Sequence, residues 1–173
     1  EKLIKTFLFD KRTQWKKILT KEAISSMKKN KSFNKKLEES FYNILSYKES
    51  LFTKSNDDNN SISFPIHIKR ITTNICQNKK KLSNISPIEI LNKNQSLKEK
   101  IKVNDIFNNN EIIHMLIDIH LHPKLLIDNF NIQEDEYQTL ILTIEHLYEK
   151  SRISPGEMVG AVAAQSIGEP ATQ

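Results

Sequence analysis

Apolar residues recur along this chain mostly at spacings of three and four, the period of a helix that buries one face. From Trp15 to Met27 the stripe is Trp15, Ile18, Leu19, Ala23 and Met27. Over residues 34–53 it is Leu37, Phe41, Ile44, Leu45 and Phe52, with Lys and Glu on the opposite side. Ile68, Ile71 and Ile75 repeat the spacing after Phe64-Pro65, and Lys79 to Lys81 close that element. Ser86-Pro87-Ile88-Glu89 combines an N-cap serine, a proline at the first helical position and a glutamate at the third. A short helix through about Leu91 follows, and the polar residues 92–110 read as a loop. From Glu111 the stripe is Ile112, Ile113, Leu116, Ile117, His120 and Leu121, broken by Pro123. Leu125, Leu126 and Phe130 form a brief continuation. Gln133 to Ser151 then makes a long helix with Tyr137, Leu140, Ile141, Ile144, Leu147 and Tyr148 inward. Few segments alternate with period two, so the expected fold is mainly α, an irregular helical bundle.

The polar stretch Ser55 to Ser63 is the clearest linker. It divides a basic N-terminal helical segment, 1–54, from a helical domain over 64–153; residues 154–173 stand apart. All three glycines, Gly156, Gly160 and Gly168, lie in that last segment, whereas the last lysine is Lys150. Ser154-Pro155-Gly156-Glu157 has the form of a capping box, which predicts a helix from Pro155. Gly160, Ala161, Ala163, Ala164 and Ser166 give that helix small faces. Gly168 is placed to end it in the left-handed conformation, and Pro170, with Glu169 beside it, fits the first turn of another. Gln165 and Gln173 are polar groups available to a ligand or to backbone. The expectation is helix, glycine turn, helix.

Composition narrows the classes. Hydrophobic residues make up 38% of 173, enough for a modest core. The single cysteine, Cys76, allows neither an internal disulfide nor a cysteine metal cluster. No apolar run approaches about 18 residues, so no membrane span is expected. Charge is uneven: residues 1–54 carry 14 basic and 6 acidic side chains, residues 111–150 carry 2 and 8. Only Arg12, Arg70 and Arg152 are arginines, which weighs against direct phosphate recognition by the basic half. A stand-alone basic helical module binding nucleic acid remains an alternative, with strongly salt-dependent affinity as its mark.

His114, His120 and His122 lack the i, i+4 spacing that aims two imidazoles at one metal, and read as surface or interface histidines. Glu134-Asp135-Glu136 suits a helix N-terminus without any acid–base role. Lys79 to Lys81 reads as a solvated helix end. No phosphate-cradling glycine loop and no nucleophile elbow is present.

Residues 155–173, PGEMVGAVAAQSIGEPATQ, closely resemble a motif in the largest subunit of multisubunit DNA-dependent RNA polymerases. Phe64-Pro65-Ile66-His67-Ile68-Lys69-Arg70-Ile71 and Ser86-Pro87-Ile88-Glu89-Ile90 are more weakly similar to upstream segments of the family. Gly156-Glu157-Met158 and Glu169 to Gln173 look most like polymerase II, with the corresponding region of polymerase I or III as the alternative. The resemblance implies a fragment of that subunit: a foot-like helical scaffold, 64–153, and the start of the trigger loop, 154–173. It implies transcription in the nucleus, with other polymerase subunits, DNA template and RNA as partners, and RNA-processing or regulatory factors on the foot. It implies a catalytic Mg2+ held outside the fragment, since the family's N-A-D-F-D-G-D cluster is absent. No catalytic residue then lies in the fragment, which alone should not polymerise nucleotides. Gln173 matches the glutamine beside the incoming nucleotide's ribose. Pro155, Gly156, Gly160, Gln165, Gly168, Glu169 and Pro170 would form the hinge and anchor of the mobile loop.

Overall fold

The computed structural model describes residues 15–29, 33–52, 64–76, 82–103 and 110–172. Among these the chain is mainly helical and has no named strand. Its helices are α1 (Trp15–Ile18), α2 (Lys21–Lys29), α3 (Phe33–Phe52), α4 (Ile68–Ile75), α5 (Pro87–Val103), α6 (Glu111–His120), α7 (Pro123–Phe130), α8 (Glu134–Ser151) and α9 (Val159–Thr172). Lys79 to Lys81 and Gln173 lie outside the described residues.

The core is a continuous apolar cluster. Ile85, Ile90, Ile117, Leu121, Leu126, Ile127, Ile132, Tyr137, Leu140 and Ile144 are each fully buried, and Leu19 and Ala23 join them from the N-terminal side. α5 is the hub, packing on α2, α6, α7 and α8; α3 lies on α6, and α4 is held by α6 and α8. The stripe predicted from Trp15 to Met27 is split in two. Leu19 forms a parallel bridge with Ser83, where Ser83 N donates to Ile18 O (2.9 Å) and Thr20 N to Ser83 O (3.0 Å).

α5 corrects the sequence expectation most. It does not stop near Leu91 but continues to Val103. Its inward positions are Ile90, Asn94, Leu97, Lys98 and Ile101, all buried. Two of the five are polar, so the hydrophobic pattern fades although the geometry persists. Those polar groups are paired inside. Asn94 Nδ2 donates to Leu121 O (2.9 Å), and Tyr137 Oη donates to Asn94 Oδ1 (2.6 Å). Lys98 forms a buried ion pair with Asp118 of α6.

Several other boundaries follow capping chemistry. Ser86 N donates to Glu89 Oε2 (3.1 Å), one half of the anticipated box. His122 caps α7, its Nδ1 accepting from Lys124 N (3.3 Å), with Pro123 at the first helical position. Asn131 ends α7 in the left-handed region (φ 48°), where its N–H donates to Ile127 O (3.1 Å) and Ile132 N donates to Leu126 O (3.4 Å). α8 opens with Gln133 N donating to Glu136 Oε2 (3.0 Å) and Glu134 N donating to Asn84 Oδ1 (2.8 Å). The Glu134-Asp135-Glu136 run thus sits at a helix N-terminus, where carboxylates complement the dipole.

Candidate functional site: the exposed C-terminal helix

α8 ends where Ser151 Oγ donates to Tyr148 O (2.7 Å) and Arg152 turns extended at φ −75°, ψ 139°. Its Nη1 lies 3.5 Å from Glu149 Oε2. The chain then turns once before α9. Glu157 N donates to Ser154 O (3.3 Å) across Pro155 and Gly156, and Gly156 has φ 86°. Proline at the second turn position and a positive-φ glycine at the third are the residues a type II turn requires. The Ser154-Pro155-Gly156-Glu157 segment is therefore a reverse turn. The helix expected from Pro155 begins at Val159, because proline-glycine satisfies the turn before a helix can nucleate.

A second correction concerns Gly168. It is helical, not left-handed, and Gly156 is the described glycine with positive φ. α9 runs through Gly168 and Glu169 and carries Pro170 inside it, in place of the expected glycine turn and second helix. Pro170 offers no N–H to the carbonyl of Ser166 one turn back. Ser166 Oγ meanwhile donates to Val162 O (2.9 Å).

Surface chemistry sets α9 apart. Every residue from 151 to 170 is exposed. Met158 is 76% and Ile167 77% exposed, and Val159 and Val162 are each more than half exposed. These residues, with Ala161, Ala163 and Ala164, make α9 largely apolar; Gln165 and Glu169 form a narrow polar stripe, and Glu169 is the sole ionisable residue of α9. A helix with so wide an apolar face normally packs it against other protein. Gly160, Ala164 and Gly168 fall at i, i+4 and i+8, one small-residue line on the surface. A Cβ on any of the three glycines would meet nothing within 4 Å, so that line faces open space among the described residues. Gln165 is likewise exposed.

The histidines resolve differently. His122 is the buried cap of α7, and burial, aided by Lys124, lowers its pKa to about 4. His120 is lowered too, by burial first and by Lys69 second. Among the described residues no three His, Cys, Asp or Glu side chains converge to hold a metal ion. The Cys76 thiol is buried, and desolvation raises its pKa to about 12, which removes thiolate chemistry at neutral pH. No described helix is long and apolar enough to cross a membrane.

Sequence reasoning missed the buried ion pair. Burial raises the Asp118 pKa, while Lys98 pulls it down. The available signal was position: Lys98 lies one turn beyond Asn94, which itself follows Ile90 by four.

Residues 122–173 match the family described as RNA polymerase Rpb1, domain 5. The match begins at the N-cap of α7 and takes in α7, α8, the Pro155-Gly156 turn and α9. Over this segment, less than half of the chain, the protein is similar to the largest subunit of a multisubunit DNA-directed RNA polymerase.

Proposed function

We propose that this chain supplies the foot-like scaffold and the base of the trigger loop in the largest subunit of RNA polymerase II, a nuclear enzyme. One observation carries the proposal: α9 is largely apolar and is exposed from Val159 to Pro170, and it lies within the segment that matches the polymerase family. Such a helix is at home only when another part of an assembly covers it. α8 and the core beneath it form the rigid mount, and the Gly156 turn sets the direction in which α9 departs. Gln165, Gly168, Glu169 and Pro170 extend towards the mobile part of the loop, and Gln173 stands beside the ribose of the incoming nucleotide.

The reaction served is phosphoryl transfer from a nucleoside triphosphate to an RNA 3′-hydroxyl on a DNA template. Magnesium, held outside this chain, stabilises charge in that step. The chain contributes positioning, because a loop closing over substrate excludes water and fixes geometry only when its base is anchored. The fragment by itself is therefore inactive.

Depleting the protein and sequencing newly made RNA tests both the activity and the class. Loss of messenger-RNA precursors, with ribosomal and transfer RNA synthesis retained, is the expected result. Loss confined to ribosomal or transfer RNA would move the chain to polymerase I or III. Unchanged synthesis of all three would remove the polymerase reading.

A further inference from the structure

We propose that the groove between the start of α4 and the end of α6 binds an acidic peptide segment of a partner protein. The groove has a volume of about 760 Å3 and opens to solvent. Its floor is apolar, formed by buried Ile66 and half-buried Leu116. Two cations stand on its rim, Lys69 and Arg70, exposed on α4, with the imidazoles of His67 beside them and His120 opposite. Among the described residues no carboxylate lines it. Neither Lys69 nor Arg70 forms an ion pair with an acidic side chain among the described residues.

Each feature selects against other occupants. A cavity of several hundred Å3 accepts a few side chains and not a duplex. Single-stranded nucleic acid is held by aromatic faces on which bases stack. Among the described residues the one Phe, Tyr or Trp lining it, Phe64, is half-buried and packs on the core. An apolar floor under a rim of unneutralised cations instead complements a peptide that alternates carboxylates with apolar anchors. The Arg70 guanidinium can hold a carboxylate through two parallel hydrogen bonds, and Lys69 adds a second charge. Thr73 and Asn74, one turn further along α4, line the same groove with hydrogen-bonding groups for a peptide backbone. This site is separate from α9 and does not depend on the polymerase reading.

The test is fluorescence anisotropy with the full chain and a short fluorescein-labelled peptide of Asp and Glu with Leu and Phe anchors. Binding is expected, and the Lys69→Glu/Arg70→Glu double variant should weaken it at least about tenfold, or ~1.4 kcal/mol. Both substitutions are exposed, so the unfolding temperature should stay unchanged. Replacing the Leu and Phe anchors by Ser should also weaken binding. The proposal is overturned if the peptide does not bind, or binds the double variant equally well. It is overturned too if an oligouridine probe binds more tightly than the peptide and loses that binding in the double variant.

Discussion

At the residue scale, burial governs the chemistry of the polar groups. His122 caps α7 through a neutral imidazole, and its pKa stands near 4, against 6.5 for the free side chain. The unfolded chain therefore takes up a proton below about 6.5 that the folded chain refuses until about 4. Stability from this group is full above pH 6.5 and is lost as pH falls through that window, on the order of 3 kcal/mol in all. Asp118 titrates in the opposite sense: its raised pKa favours the folded state as pH falls. A comparison with His122→Asn separates the two, because asparagine keeps an acceptor for Lys124 N and does not titrate. Denaturant unfolding should show the wild type losing stability relative to His122→Asn between pH 6.5 and 4. A constant difference over that range would rule out a neutral, buried His122.

At the element scale, α5 shows what the pattern of apolar residues conveyed and what it concealed. The start at Ser86-Pro87 was legible because capping chemistry is local. The continuation past Leu91 was not, because Asn94 and Lys98 occupy core positions and read as surface. Only the folded structure supplies Tyr137, Leu121 and Asp118 as their partners. Replacing Lys98 by Met should cost about 3–5 kcal/mol by leaving Asp118 buried and uncompensated, whereas Lys98→Met/Asp118→Leu should recover most of it. Equal losses in the single and double variants would show that the pair is not the source. The tail presents a related contrast. Pro155-Gly156 is equally compatible with a capping box and a type II turn, and Gly168 with a helix end or a helix interior. The choice depends on backbone torsions that residue identity alone leaves open.

At the scale of the whole molecule, a well-packed bundle carries one helix that its own core does not cover. Helix content and the inward face of α8 were readable in advance, since each rests on local periodicity or composition. The groove beside Lys69 and Arg70 was not, because it joins elements about fifty residues apart. The exposure of α9 was not either, since a sequence shows which residues are apolar but not whether the chain has room to bury them. That exposure ties the fold to the proposed role: a largely apolar helix left exposed among the described residues would gain a neighbour if the chain is part of an assembled polymerase. Ile167, 77% exposed here, should be buried there. The decisive measurement is the single-nucleotide addition rate of the assembled enzyme carrying Ile167→Asp, with subunit composition checked in parallel. The account predicts a rate at least about tenfold below wild type, equivalent to ~1.4 kcal/mol of lost transition-state stabilisation, in an enzyme that still assembles. A fully assembled enzyme adding nucleotides at the wild-type rate would contradict it.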